Sequence, residues 1–249
     1  MNLIAVIGGM ILKDLGVIEG ASPQEVKTVY GSCTFFFKEN IVFLPRHGER
    51  HSIPPHRVNH LANIASLKEL GVEWIISVNS VGSLKEVITP DHLLVPDDYI
   101  DLWNIKTFYN EEAIHITPGL SEEVRRILIS SLKESNIFNY QEEGVYIQTT
   151  GPRLETKAEI RMLKSFGDVV GMTMASEATA AKELGLHYAS LCSIDNFCHG
   201  IGRAPLLQEE IKRNLQGKAG KIRQVIEKAI AKLGEAPKIS KEPSSFQGT

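Results

Sequence analysis

The stretch RVNHLANIASLKELGVEWIISVNSVGS, residues 57–83, decides the fold class. Along its first half Val58, Leu61, Ile64, Ala65, Leu67 and Leu70 recur at three- and four-residue steps, which lays apolar side chains along one face of a helix. Gly71 stands where such a helix stops. Residues 74–78 then form an apolar run with β-branched members, read as a strand. It closes on the small, polar loop Asn79-Ser80-Val81-Gly82. This helix–strand–loop order recurs downstream. A helix over 122–135, capped by Ser121, precedes a strand at 145–148. A helix over 156–166 precedes a strand at 169–171, and a helix over 176–184 precedes a strand at 188–194. Upstream, residues 3–7 read as a buried strand stopped by Gly8-Gly9, and residues 33–37 and 41–44 as two more. A short strand is expected at 93–95 and a long last helix at 206–233. Strands alternating with helices predict a single α/β domain with a central mixed sheet flanked by helices, in which ligands sit beyond the carboxyl ends of the strands.

The bulk numbers narrow the function classes. A chain of 249 residues with 43% hydrophobic and 23% charged residues can bury one core, so residues 1–236 are read as one domain and 237–249 as a loose polar tail. A formal net charge of −3, without a run of five like charges, gives no electrostatic footprint for nucleic acid. A bound anion must therefore be caught by a local arrangement of groups. Three cysteines, Cys33, Cys192 and Cys198, make neither a disulfide framework nor a CxxC zinc pair. The apolar start is too short for a signal peptide and no run reaches the ~18 residues of a membrane span. The expectation is a soluble, cytoplasmic protein with small-molecule partners, no metal and no cofactor.

Several expected strand ends carry groups that could do chemistry. Gly8-Gly9 lets backbone N–H groups approach an anion, although taken alone a plain turn is its more ordinary explanation. Residues 45–51, Pro-Arg-His-Gly-Glu-Arg-His, concentrate two arginines and two histidines behind a strand. Arg46 offers a planar fork to phosphate oxygens and His47 a further donor, against the plainer reading of a solvated loop. Asn79–Ser83 could present consecutive N–H groups. Thr173 offers a hydroxyl after Gly171-Met172, and Asn196 a donor and an acceptor for a flat ring. Glu155, His115 and His199 each have ordinary explanations, and there is no HExxH, P-loop or GxSxG.

Taken in order, Arg46-His47-Gly48 with His51, Asn79-Ser80-Val81-Gly82-Ser83-Leu84, Gly151-Pro152-Arg153-Leu154-Glu155-Thr156, Gly171-Met172-Thr173 and Asp195-Asn196 resemble the trimeric purine nucleoside phosphorylase and methylthioadenosine phosphorylase family. The resemblance runs from about Leu3 to the last helix. It implies the phosphorylase/hydrolase-like fold, a homotrimer or dimer of trimers, and phosphate as co-substrate. Carried over by motif, Gly9, Arg46, His47, Ser80 and Thr173 would hold phosphate. Glu155 and Asn196 would be the catalytic base contacts. Met172 would pack on the ribose, with Leu154, Val81 and Gly82 lining the nucleoside. His115, contributed across a subunit interface, with Gln208 and Ile211, would close the 5′ end.

The base pair of contacts selects a branch. The resemblance implies Asp at the Asn196 position and a small hydroxyl residue at the Glu155 position in members acting on adenine nucleosides. Here Asn196 can donate to O6 and Glu155 can accept from N1–H, which suits hypoxanthine or guanine. The expected activity is phosphorolysis of 6-oxopurine nucleosides: inosine, guanosine or 5′-methylthioinosine. Its rivals are a methylthioadenosine phosphorylase, a nucleosidase using water, and a non-catalytic nucleoside-binding protein. Two departures stand out: Met10-Ile11 replaces the family's hydroxyl residue and a further glycine, and Leu154 replaces an aromatic near the base.

Overall fold

The computed structural model describes residues 2–9, 11–16, 18, 20–103, 105–202 and 207–236. Met10 and the tail 237–249 lie outside the described residues. In chain order the elements are β1 (Ile4–Gly8), α1 (Ile11–Asp14), β2 (Pro23–Thr28), β3 (Gly31–Lys38), β4 (Ile41–Pro45), a 3-10 turn (Pro55–Arg57), α2 (His60–Glu69), β5 (Trp74–Ser83), β6 (Leu93–Leu94) and β7 (Asp98–Ile100). They continue with α3 (Glu122–Glu134), β8 (Tyr140–Gln141), β9 (Val145–Gln148), α4 (Lys157–Leu163), β10 (Val169–Gly171), α5 (Met174–Glu183), β11 (His187–Phe197) and α6 (Gln208–Glu235).

The alternation expected of buried strands is literal. Ile4 and Val6 of β1, with Trp74, Ile76 and Val78 of β5, point to one face of the sheet. There they pack against Val124, Leu128 and Leu132 of α3 and Ile222, Val225 and Ala229 of α6. Ala5, Ile7 and Ile75 point to the other, against Ile64 and Leu67 of α2 and Met174, Ala178 and Ala181 of α5. The result is three layers, helices on both faces of one mixed sheet. Burying a Leu or Ile side chain contributes on the order of 2 kcal/mol, so these two interfaces supply most of the driving force.

Helix starts follow local chemistry. Asn59 caps α2 by accepting from Ala62 N, and Ser121 caps α3 as expected. Thr156 and Glu159 form a reciprocal capping box on α4. Two expectations are corrected. The helix read over 57–70 is a 3-10 turn followed by α2, because the paired prolines at 54 and 55 and the Asn59 cap restart the chain. The loop read at Asn79–Ser83 is the second half of β5, because that half gains strand partners that local propensity does not report.

Those partners open the site. Along one edge β5 pairs with β11 from Trp74 to Ser83. Along the other, parallel β1 pairs only as far as Gly8 against Val78, and antiparallel β10 begins at Gly82. Among the described residues, no strand pairs with β5 on that side between Val78 and Gly82. A sheet that splits in this way leaves the backbone of Asn79, Ser80 and Val81 facing a gap, where a ligand can take the place of a strand.

Candidate active site

The gap is the mouth of a cavity of about 250 Å³. Its lining unites four strand ends: Gly9 after β1, Arg46, His47 and His51 after β4, Ser80, Val81 and Gly82 in β5, and Met172 and Thr173 after β10. Leu154 and Glu155 add the loop before α4, Asn196 the end of β11, and Cys198 and His199 the loop that follows it. Every residue expected at phosphate, base or ribose lies in this one cavity. Of the three expected at the 5′ end, Ile211 lines it, beside Ile11, Lys212 and Leu215, whereas Gln208 does not. His115 is exposed and outside the cavity of a single chain.

At the anion end Arg46 is 3% exposed and largely committed inward. Its Nε donates to Glu177 Oε1 (2.5 Å), and its Nη2 donates to Glu177 Oε2 (2.9 Å) and Ser77 Oγ (2.6 Å). Nη1 donates to the Val78 carbonyl (2.9 Å). Four of the five guanidinium N–H groups are thus occupied, and one on Nη1 remains for a ligand. The free fork expected from the sequence is corrected to a buried ion pair that presents one edge. Burial opposes charge on both partners. Their mutual attraction outweighs it, holding Arg46 above and Glu177 below the usual range. Glu177 sits in the first turn of α5, where the helix dipole also favours a carboxylate, and further accepts from Tyr188 Oη (2.8 Å).

His47 is fixed through Nδ1, 2.7 Å from the Ile53 carbonyl. A carbonyl only accepts, so Nδ1 carries the proton. Burial, reinforced by the Arg46 charge, brings this imidazole down to about 4. The Gly9 backbone approaches closely: a Cβ there would stand 3.3 Å from His47 Cδ2 and 3.5 Å from His51 Cε1. Thr173 Oγ1 accepts from Asn79 Nδ2 (3.0 Å), which leaves its own hydroxyl hydrogen to donate toward the cavity. Its backbone N–H is held by Tyr146 Oη at 3.2 Å.

At the opposite end Glu155, 8% exposed, accepts from Thr149 Oγ1 through Oε1 (2.6 Å) and keeps Oε2 for another donor. His199 Nδ1 donates to the Glu155 carbonyl (2.7 Å), tying the loop after β11 to the loop before α4. Asn196 is aimed by a bulge. The β5–β11 register shifts between Ile194 and Asn196, so Asp195 is the extra residue and Asn196 falls opposite Gly82. A Cβ on Gly82 would come within 2.7 Å of Cys198 Sγ and 2.9 Å of Asn196 Nδ2, so this position needs glycine. Asp195 itself turns inward. It accepts from Ser193 Oγ (2.6 Å) and pairs with Lys218 of α6 (3.0 Å).

Sequence reading missed Glu177, Asn79 as a hydrogen-bonding side chain, and His199 as a lining residue. Glu177 lies within an alanine-rich helix and nothing local marks it. A carboxylate one turn past Thr173 on an otherwise apolar helix face was the available signal.

An α/β sheet opened at a strand switch, with Arg46, His47 and Thr173 at one end of the cavity and Asn196 with Glu155 at the other, belongs to the class in which small ligands bind beyond the carboxyl ends of the strands. The chain belongs to the phosphorylase superfamily, whose family model matches residues 4–231. It is 40% identical over 237 residues to a protein of Archaeoglobus fulgidus named probable 6-oxopurine nucleoside phosphorylase, covering 94% of this chain and 98% of that one. It is 43% identical over 235 residues to a Methanocaldococcus jannaschii protein named probable S-methyl-5′-thioinosine phosphorylase, covering 92% of each. Among solved structures, methylthioadenosine phosphorylase from Schistosoma mansoni in complex with adenine superposes with a TM-score of 0.87 at 26% identity, covering 95% of this chain and 93% of that one.

Proposed function

We propose that this protein is a pentosyltransferase that cleaves 6-oxopurine nucleosides with inorganic phosphate. The observation that carries this reading is the pairing of Asn196 and Glu155 at one end of a cavity whose other end is lined by Gly9, Arg46, His47, Ser80 and Thr173. Asn196 donates to the developing charge on the purine O6 and N7 side, and Glu155 accepts from N1–H. The Asn196 contact strengthens as the base leaves with the glycosidic electrons, whereas the Glu155 contact, made to an N1–H that becomes less acidic, orients the ring. Phosphate, held by the Arg46 Nη1 edge, the Ser80 backbone and the Thr173 hydroxyl, attacks the cationic ribosyl carbon. It thereby replaces the C1′–N9 bond with a C1′–O bond. Because phosphate is itself the nucleophile, the reaction calls for neither a covalent enzyme intermediate nor a metal. The names of the two relatives point the same way.

The apolar side chains Ile11, Ile211 and Leu215 that line the cavity, with the charged Lys212 beside them, suit a 5′-methylthio group. We therefore place 5′-methylthioinosine among the substrates. The exposed His115 then belongs to the 5′ end of a neighbouring subunit in a trimer. Three buried free cysteines suit the cytoplasm as compartment, and among the described residues no helix is long and apolar enough to cross a membrane. The test is hypoxanthine release from inosine and from 5′-methylthioinosine, each with and without phosphate. Release that depends on phosphate supports the reading, and equal release in its absence replaces it with hydrolysis.

A further inference from the structure

The anion end of the cavity lacks the charge its task requires. The Arg46 cation is cancelled by Glu177, which it meets through two hydrogen bonds. His47 gives its proton to the Ile53 carbonyl, so its neutral ring offers the cavity side a lone pair at Nε2. That nitrogen lies 3.7 Å from where a Cβ on Gly9 would stand, against the glycine loop itself. A phosphate dianion seated there meets a lone pair, a repulsive arrangement unless a proton comes between them.

We propose that phosphate enters this site together with one proton, shared between a phosphate oxygen and His47 Nε2, so that anion binding and proton uptake are a single event. The inference rests on the phosphorylase reading and adds to it the protonation state of the bound anion. The groups facing His47 support the coupling. From its own loop come the Arg46 guanidinium, which opposes a second ring proton, and the His51 ring, edge-on with centroids 4.6 Å apart, which opposes it too when charged. From α5 comes Glu177, which favours the proton, and behind it His60 of α2, 4.0 Å from the Glu177 carboxylate. Ile11 of α1 and Pro55 of the 3-10 turn bring no charge to the cavity wall. In the free protein these influences leave the ring neutral. An added dianion within about 4–6 Å moves the balance toward the protonated form, and the phosphate oxygen facing Nε2 supplies the second site that shares the proton.

The test is calorimetric titration of inorganic phosphate into the full chain at about pH 8, above the ordinary imidazole value of ~6.5. It is run in two buffers of different ionisation enthalpy. We expect binding enthalpies that differ by the amount for about one proton taken up per site, and an apparent dissociation constant that rises roughly tenfold per pH unit. Binding with the same enthalpy in both buffers overturns the proposal. His47→Gln supplies a permanent amide donor, and phosphate should bind this variant without proton uptake. Uptake that persists in the variant removes the proton from His47 and overturns the assignment. Absence of any phosphate binding in the wild type is a separate result, which overturns the phosphorylase reading and this inference with it.

Discussion

In the proposed base site Asn196 and Glu155 carry opposite hydrogen-bonding characters, and that opposition makes their substitutions informative. Asn196→Asp replaces a donor with a second acceptor, so O6 of hypoxanthine meets a carboxylate while the 6-amino group of adenine gains a partner. Steady-state kinetics should show kcat/KM for inosine falling about 100- to 1000-fold, the scale of one lost transition-state donor, with adenosine cleavage rising. An unchanged ratio of the two substrates would remove Asn196 from the base site. That the two residues meet in one cavity was legible in the sequence because each stands in a motif expected at a strand or helix end. Glu177 was not, since its role comes from where α5 docks. Glu177→Ala strands the Arg46 charge beneath the sheet, 3% exposed. Breaking such a pair from one side costs about 3–5 kcal/mol. Urea unfolding should register that loss, together with a raised phosphate KM, because the Arg46 edge is no longer fixed.

Among the elements, β5 decides the site, and its second half was the part the sequence misplaced. Local composition reads Asn79–Ser83 as a loop: small, polar, with a glycine. Pairing with β11 on one side and β10 on the other makes it a strand, and such non-local partners leave no local pattern. Conversely the apolar runs of β1, β4, β9 and β10 were legible, because strands buried on both faces are continuous hydrophobic segments. The exposed edge strand β2 had no such run, and sequence reading passed over it. Gly82 is where β5, β10 and β11 meet, directly against Asn196 and Cys198. Gly82→Ala should push the bulged segment of β11 away and raise the KM for the nucleoside at least tenfold. The phosphate KM should move much less, since Arg46, His47 and Thr173 hang on other strands. Equal loss of both affinities would show that the two ends of the cavity are not separately supported.

At the scale of the whole molecule, the buried histidines tie stability to acid. His60, 2% exposed in α2, has an Nδ1 without a hydrogen-bond partner, and burial lowers its imidazole to about 4. Arg46 and Lys106 add to that shift, while Glu177 opposes it. His47 is lowered to about 4 by burial and Arg46. In the unfolded chain both titrate near ~6.5, so between there and about 4 the unfolded state binds more protons than the native one. The sign follows: stability is full above ~6.5 and falls as the pH drops toward 4, by about 3 kcal/mol for the deeply buried His60 alone. The Glu177 carboxylate, held low by Arg46, acts in the same direction at still lower pH, where protonating it would release the buried cation. Thermal denaturation followed from pH 8 to pH 4 should therefore show a steep acid limb. Replacing His60 with Leu, a neutral side chain of similar bulk that cannot take a proton in either state, should flatten that limb while leaving the curve above ~6.5 nearly parallel to the wild type. A limb of undiminished slope in His60→Leu would place the acid sensitivity elsewhere, first in the Arg46–Glu177 pair that His60 abuts.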